Sequence, residues 1–294
     1  MRNPIIYLLI LSALLFYCMP LSGCLCQVTI GEPEIREVSY EWGEVTPSRT
    51  EIITKVKVYN PNPIHLPLKN VLSEVYMGDI KMGEGSALKA GIRANSESTV
   101  VITTKLDNTK IPQWWVSHIR NNEKSTIKVT ATLVFDLKVT DFNYPFEFSK
   151  PIETNILAGL NPEKTQKFKS GPVTLTMSIE SHWGAISEDY TEIMTTASIY
   201  NASPYPIPVP RLDCFIQLNE IKIAKGLIDG STIIAPKSET MLTFTTKLDN
   251  KMLDDWWVSH IKGGERTQGV VTIKYSEFTL VKQEFEFTTN LLKR

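Results

Sequence analysis

Cysteine is scarce where it could matter. Of the four in this chain of 294 residues, Cys18, Cys24 and Cys26 stand in or beside an N-terminal apolar leader, and only Cys214 lies in the body of the sequence. That excludes a disulfide framework and a cysteine zinc site, and leaves Cys214 as a core thiol. Charge of one sign is also lacking. The formal net charge is −1, whereas nucleic-acid binding needs a basic surface that neutralises phosphates. Histidine occurs four times, never as His-x-x-x-His, so no metal-ligand spacing exists. Gly83-Glu84-Gly85 lacks the third glycine and following helix of a dinucleotide loop and reads as a turn. No catalytic constellation and no cofactor motif can be assembled. Disorder is excluded too: hydrophobic residues make up 42% and charged residues 21%, enough for each half to bury a core.

What is present is a duplication. Trp114-Trp115-Val116-Ser117-His118-Ile119 returns as Trp256-Trp257-Val258-Ser259-His260-Ile261, and Lys-Leu-Asp-Asn precedes both, at Lys105–Asn108 and Lys247–Asn250. Both blocks are displaced by 142 residues. Two blocks at one displacement mark a tandem repeat. The expected organisation is a leader over 1–23, a first domain over 28–157, a polar linker over 158–171 and a second domain over 172–294.

In the leader, Arg2 precedes an apolar run from Ile5 to Tyr17, and Leu21-Ser22-Gly23-Cys24 follows. A positive start, apolar centre and small residues before a cut describe a secretory signal peptide. The last four residues resemble a lipobox, which implies lipidation of Cys24 as the first mature residue. The alternative is a retained transmembrane anchor. Ile5 to Met19 is 15 residues, about 22 Å of helix against a hydrocarbon core of about 30 Å. Continuation through Pro20 and Gly23 would let it span. Either way the body of the chain is expected on the extracytoplasmic side of the cell membrane, held by lipid or helix.

The first repeat alternates with period two. Ile52, Thr54, Val56 and Val58 share one parity, as do Val100, Ile102, Thr104 and Leu106, and Ile127, Val129, Ala131, Leu133 and Phe135. Strands with one buried and one wet face follow, with others near Glu34–Glu41, Val71–Met77 and Tyr144–Ile156. About seven short strands of this kind make a β-sandwich. One segment is helical instead. Asp107-Asn108 can cap it, Pro112 is tolerated in its first turn, and Ile111, Trp115 and Ile119 share a face. Trp115 is expected to plug one end of its own sandwich. Trp114 stays open between core and surface.

Past the linker the pattern resumes. Trp42-Gly43 corresponds to Trp183-Gly184, and Val58-Tyr59-Asn60 to Ile199-Tyr200-Asn201. Leu253, Trp257 and Ile261 rebuild the helix face. Pro204, Pro206, Pro208 and Pro210 alternate with Tyr205, Ile207 and Val209, so all missing donors fall on one side. That predicts an edge strand closed on its outer side. Pro61, Pro63 and Pro67 do this less completely.

Asn60-Pro61-Asn62-Pro63, ending one alternating strand and opening a proline-rich one, resembles the signature of the late embryogenesis abundant type 2 family, whose module is also called the water stress and hypersensitive response (WHy) domain. The second copy, Asn201-Ala202-Ser203-Pro204, keeps only the first Asn and the last Pro. The resemblance implies two immunoglobulin- or fibronectin-III-like sandwiches with one helix each. It also implies no enzyme activity and a role in the response to desiccation. A tethered tandem form suggests an archaeal member.

Other chemistry weighs little. Ser117-His118 and Ser259-His260 are helix neighbours about 100° apart in direction, so neither is a nucleophilic pair. Asn201-Ala202-Ser203 matches an N-glycosylation acceptor, although the proline after it disfavours use. Two readings remain: a tethered, monomeric stress-protection module, or an extracellular binding module that holds a protein, glycan or lipid by sandwich-end loops near Asn60 and Asn201. The chain's partners would be proteins or components of the envelope.

Overall fold

The computed structural model describes residues 31–87, 91–136, 141–161 and 165–292. The leader, with the lipidation candidate Cys24, lies outside them. Among the described residues no helix is long and apolar enough to cross a membrane.

The alternating segments are strands, and every pairing is antiparallel. β1 (Glu34–Val45), β2 (Arg49–Asn60), β3 (Leu66–Met77), β4 (Ile80–Ala87), β5 (Gly91–Ile92), β6 (Ser96–Asp107), β7 (Lys124–Asp136) and β8 (Asp141–Glu153) form the first sheet. Its order is β1-β2-β6-β4-β3-β7-β8, with β5 on β3. The predicted parities hold: Val56, Val58, Val100, Ile102, Leu133 and Phe135 are buried in one cluster. That cluster draws on both ends of the strand order, so the sheet curls over its own core. Tyr40 on β1 and Phe148 on β8 meet across the seam with ring centroids 4.7 Å apart.

The glycines expected in a turn lie instead in β4, the strand that carries the sheet around the curl. A Cβ on Gly83 would stand 1.9 Å from the Lys105 carbonyl oxygen. Glycine here marks close backbone approach rather than chain reversal.

The second sheet repeats the first. β9 (Gln166–Ser170), β10 (Val173–Ile186), β11 (Tyr190–Asn201), β13 (Leu212–Leu218), β14 (Ile221–Ile228), β16 (Glu239–Asp249), β17 (Arg266–Tyr275) and β18 (Phe278–Thr288) run in the order β18-β17-β13-β14-β16-β11-β10-β9. The alternating prolines build the expected edge strand only over a short stretch. Only β12 (Ile207–Pro208) pairs, with β15 (Ile233–Ile234), and Val209 N–H donates to Thr232 O at 2.9 Å. Four absent donors leave too few backbone bonds for a longer ladder.

Among the described residues there are three α-helices: α1 (Ile111–Arg120), α2 (Ile156–Leu160) and α3 (Leu253–Lys262). Asp107 and Asp249 accept the N–H of Thr109 and Lys251 at 3.1 and 3.0 Å, capping short 3-10 turns that lead into α1 and α3. The stretch expected as a polar linker is largely structured. α2 buries Ile156 and Leu160, and β9 pairs with β10. Residues Pro33–Arg294 pack as one unit, because a single core cluster runs from Ile52, Leu106 and Ile119 to Ile193, Leu248 and Ile261.

Candidate functional site

Where the two sheets meet, the chain gathers all six of its tryptophans. Trp114, Trp115, Trp256 and Trp257 come from α1 and α3 and are at most 1% exposed. Trp115 packs edge-on to Trp256 at 5.6 Å and Trp114 to Trp257 at 5.9 Å. Trp183 and Trp42 flank them, each 6.3 Å from Trp115 and Trp257 respectively. These are the T-shaped geometries that the ring quadrupole favours.

A buried indole needs an acceptor, and the acceptors reveal the plan. Trp114 Nε1 donates to Ser125 Oγ at 3.0 Å and Trp256 Nε1 to Thr267 Oγ1 at 2.9 Å, each within its own repeat. Trp115 Nε1 donates to Thr191 Oγ1 at 3.2 Å, and Trp257 Nε1 to Thr50 Oγ1 at 3.0 Å, each in the other repeat. The expected plug is thus corrected. Trp115 with Ile119, and Trp257 with Ile261, are buried helix residues, but the two indoles are exchanged between the sheets. Helical periodicity cannot tell which neighbour a buried face meets.

The accepting threonines are set by the repeated asparagines. Thr50 Oγ1 donates to Asn108 Oδ1 at 2.9 Å, and Asn108 Nδ2 holds the carbonyls of Thr46 and Pro47. Thr191, Asn250 and the carbonyls of Ser187 and Glu188 repeat this arrangement. Each hydroxyl proton is committed to asparagine, which leaves the oxygen to receive the indole.

Two glutamates escaped the sequence reading. Glu123 and Glu265 follow α1 and α3 with left-handed φ of 59° and 64°, and they are 6% and 2% exposed. Glu123 accepts from Ile156 N at 2.6 Å, Leu157 N at 3.1 Å, Thr154 Oγ1 at 2.9 Å and, from the other repeat, Trp183 Nε1 at 3.3 Å. Glu265 accepts from Leu291 N, from Leu292 N at 3.1 Å and from Trp42 Nε1 of the first repeat at 3.0 Å. Several donors on each carboxylate hold the unfavourable backbone in place. The signal was available: a glutamate stands five residues after each repeated histidine.

The histidines belong to the same network. His118 Nδ1 and Nε2 lie 2.9 Å from Ser125 Oγ and from Thr154 Oγ1. Thr154 gives its proton to Glu123, so it receives Nε2–H, and Nδ1 receives the Ser125 hydroxyl proton. A neutral imidazole fits this chain of donors, and burial pushes the His118 pKa down to about 4. His260 bonds Thr267 and Thr289 at 2.7 and 2.9 Å. The serine before His260 points elsewhere: Ser259 Oγ donates to the Trp256 carbonyl at 2.7 Å.

The Asn-Pro-Asn motif is a second internal clasp. Asn60 is fully buried, and its Nδ2 donates to the carbonyls of Ile64, Ile92 and Arg93 at 2.8 to 3.2 Å. Its Oδ1 receives Asn62 N and Nδ2 at 3.0 and 2.8 Å. In the second copy Asn201 Nδ2 holds the carbonyls of Tyr205, Ile234 and Ala235, and Ser203 N and Oγ replace Asn62 at 2.9 and 2.6 Å. The third position requires a donor, not an amide as such. Pro61, Pro63 and Pro204 flank the clasps. Asn201 is 0% exposed with its amide nitrogen committed, so the folded chain offers no N-glycan acceptor there. Cys214 is a free, buried thiol, and burial pushes its pKa up.

The family model described as Late embryogenesis abundant protein, type 2, matches residues 55–150 and again 196–290. The chain belongs to that family. One matched copy falls on each sheet, beginning within β2 in the first and within β11 in the second, and the family is generally non-enzymatic. An uncharacterized protein of Methanocaldococcus jannaschii is 26% identical over 174 residues, 54% of this chain and 94% of that protein. A protein of known structure from Archaeoglobus fulgidus is 25% identical, with a TM-score of 0.39 over 42% of this chain and 98% of that one. An Arabidopsis thaliana protein of known solution structure is 16% identical, with a TM-score of 0.34 over 43% and 83% of the two chains.

Proposed function

We propose that this late embryogenesis abundant type 2 protein is a non-enzymatic, extracytoplasmic module tethered to an archaeal cell membrane, acting in the response to water loss. The observation that carries the non-enzymatic part is how the repeated polar side chains are used. His118, His260, Thr50, Thr191, Glu123, Glu265, Asn60 and Asn201 hold indoles, hydroxyls and backbone groups of the protein itself. Side chains engaged in this way serve rigidity. A rigid, monomeric folded body that keeps its shape as water activity falls could shield envelope components or neighbouring proteins. Arg2, the apolar run after it and Leu21-Ser22-Gly23-Cys24 support the tether. In the loop-binding alternative the contacts would come from the loops around Asn60 and Asn201, since these two side chains are themselves buried.

A labile enzyme dried and rehydrated with the full-length chain should keep more activity than with an equal mass of an inert protein. Equal losses would defeat the protective reading. Intact mass of the native protein tests the tether separately. A species starting at Cys24 and carrying lipid, or one retaining Met1, agrees with it; a lipid-free species lacking the leader does not.

A further inference from the structure

The two repeats differ at the end remote from the tryptophans. In the first, Leu133 and Phe135 on β7 fill the far end of the core at 0% exposure, with Tyr144 and Phe146 of β8 packed against them. In the second, β17 stops at Tyr275, and the chain turns back directly, Tyr275 pairing with Phe278. The displacement of 142 residues that relates Trp114 to Trp256 puts Tyr275 where Leu133 stands and Glu277 where Phe135 stands. Tyr275 is 50% exposed, and Glu277 lies in the turn. On the returning strand Val281 pairs with Ile273 as Phe146 pairs with Ala131, but past a bulge the residue that stands for Tyr144 is Phe278, which is 72% exposed and adds nothing to the core. Strand pairing is lost with the bulk. Leu68 and Val71 pair with Phe135 and Leu133, whereas the corresponding Val209 and Leu212 have no partner on β17.

The missing volume is a cleft of about 300 Å³ between the layers of the second sheet. Met177, Ile199, Val209, Leu242 and Ile273 form its walls, and Phe168 on β9 and Leu280 on β18 stand at its lips. Every lining residue is apolar. Both lips are exposed, 36% and 48%, and they sit on the two terminal strands of the sheet, so the cleft opens through the seam. Lys167 and Lys169 flank Phe168 on β9 and are exposed.

We infer that this cleft binds one aliphatic chain of an anionic, single-chain amphiphile such as a long-chain carboxylate. The walls offer no polar side chain to a ligand hydrogen-bonding group, so a polar ring or sugar would be desolvated without return. A volume at the low end of ligand pockets holds one chain and not two. The headgroup must then remain at the mouth, where the lysines supply positive charge. This site is independent of the protective role and stands or falls without it.

Titration calorimetry of the full-length chain with monomeric decanoate, dodecanoate and dodecanol tests it. One dodecanoate should bind per chain, decanoate about sixteenfold more weakly at about fourfold per methylene, and dodecanol more weakly than dodecanoate. Leu280→Asp changes only an exposed lip, so the fold should persist by circular dichroism while affinity falls about tenfold or more. Lys167→Gln with Lys169→Gln should erase the preference for carboxylate over alcohol. No saturable binding, many amphiphiles per chain, binding indifferent to Leu280→Asp, or capture of diacyl vesicles without binding of the monomeric carboxylate would each overturn the inference.

Discussion

Trp257 and Thr50 stand 207 residues apart in the chain, yet the indole N–H of one donates to the hydroxyl of the other at 3.0 Å. Trp115 and Thr191 return the contact. A duplicated unit has thereby become half of a larger core. Interfaces between domains are by default polar and mobile unless they are large and apolar. Here four buried indoles, each worth about 1.5–3 kcal/mol or more in burial alone, make the interface part of the core.

Removing an acceptor should therefore destabilise both repeats. Thr50→Val and Thr191→Val each leave a buried indole N–H without its partner and free an asparagine oxygen. Each should cost about 1–3 kcal/mol, read as a lower urea midpoint at unchanged slope.

The glutamates should prove as important as the aromatics. Glu123→Gln and Glu265→Gln keep shape but lose charge-assisted bonds to backbone N–H groups and to the indole of the opposite repeat. A loss of about 1.5–3 kcal/mol is expected for each, with Trp183 or Trp42 becoming more quenchable by acrylamide.

Acid should weaken the protein through His118. Its folded pKa, about 4, is below the value near 6.5 of the unfolded chain. The unfolded state therefore binds more protons between these values, and stability rises with pH across that window. The contribution is complete above about pH 6.5 and is lost as pH falls toward 4, on the order of 3 kcal/mol in all. Midpoints in urea at several pH values check it: His118→Gln should flatten the dependence between pH 4 and 6.5.

The clasp at Asn201 makes a sharper demand on side-chain chemistry. Ser203→Ala removes a donor to Asn201 Oδ1 and should cost about 1 kcal/mol, whereas Ser203→Asn restores the arrangement of the first repeat and should cost less. Thermal denaturation of the two variants ranks them.

Much of this was legible in the sequence, for reasons that are local. Alternation in β2, β6 and β7 reports a buried face directly, and the Asp107 and Asp249 caps need only their own turn. The exchange of Trp115 and Trp257 was not legible, because periodicity marks a face as buried without naming what buries it. Gly83 looked like a turn because its reason, the Lys105 carbonyl, is supplied by a strand more than twenty residues away. The alternating prolines suggested an edge strand, since parity shows which donors are missing but not whether the rest suffice. Glu123 and Glu265 were visible as a repeat. Their left-handed backbone, and the carboxylates it aims at the other repeat, were not.

Equilibrium unfolding in urea, followed at once by tryptophan fluorescence and far-ultraviolet circular dichroism, tests the joined core most directly. Fluorescence reports the interface, since all six tryptophans lie there, while circular dichroism reports the sheets. The two curves should superimpose in a single transition. Loss of the fluorescence signal at lower urea, with both sheets still intact, would contradict the account.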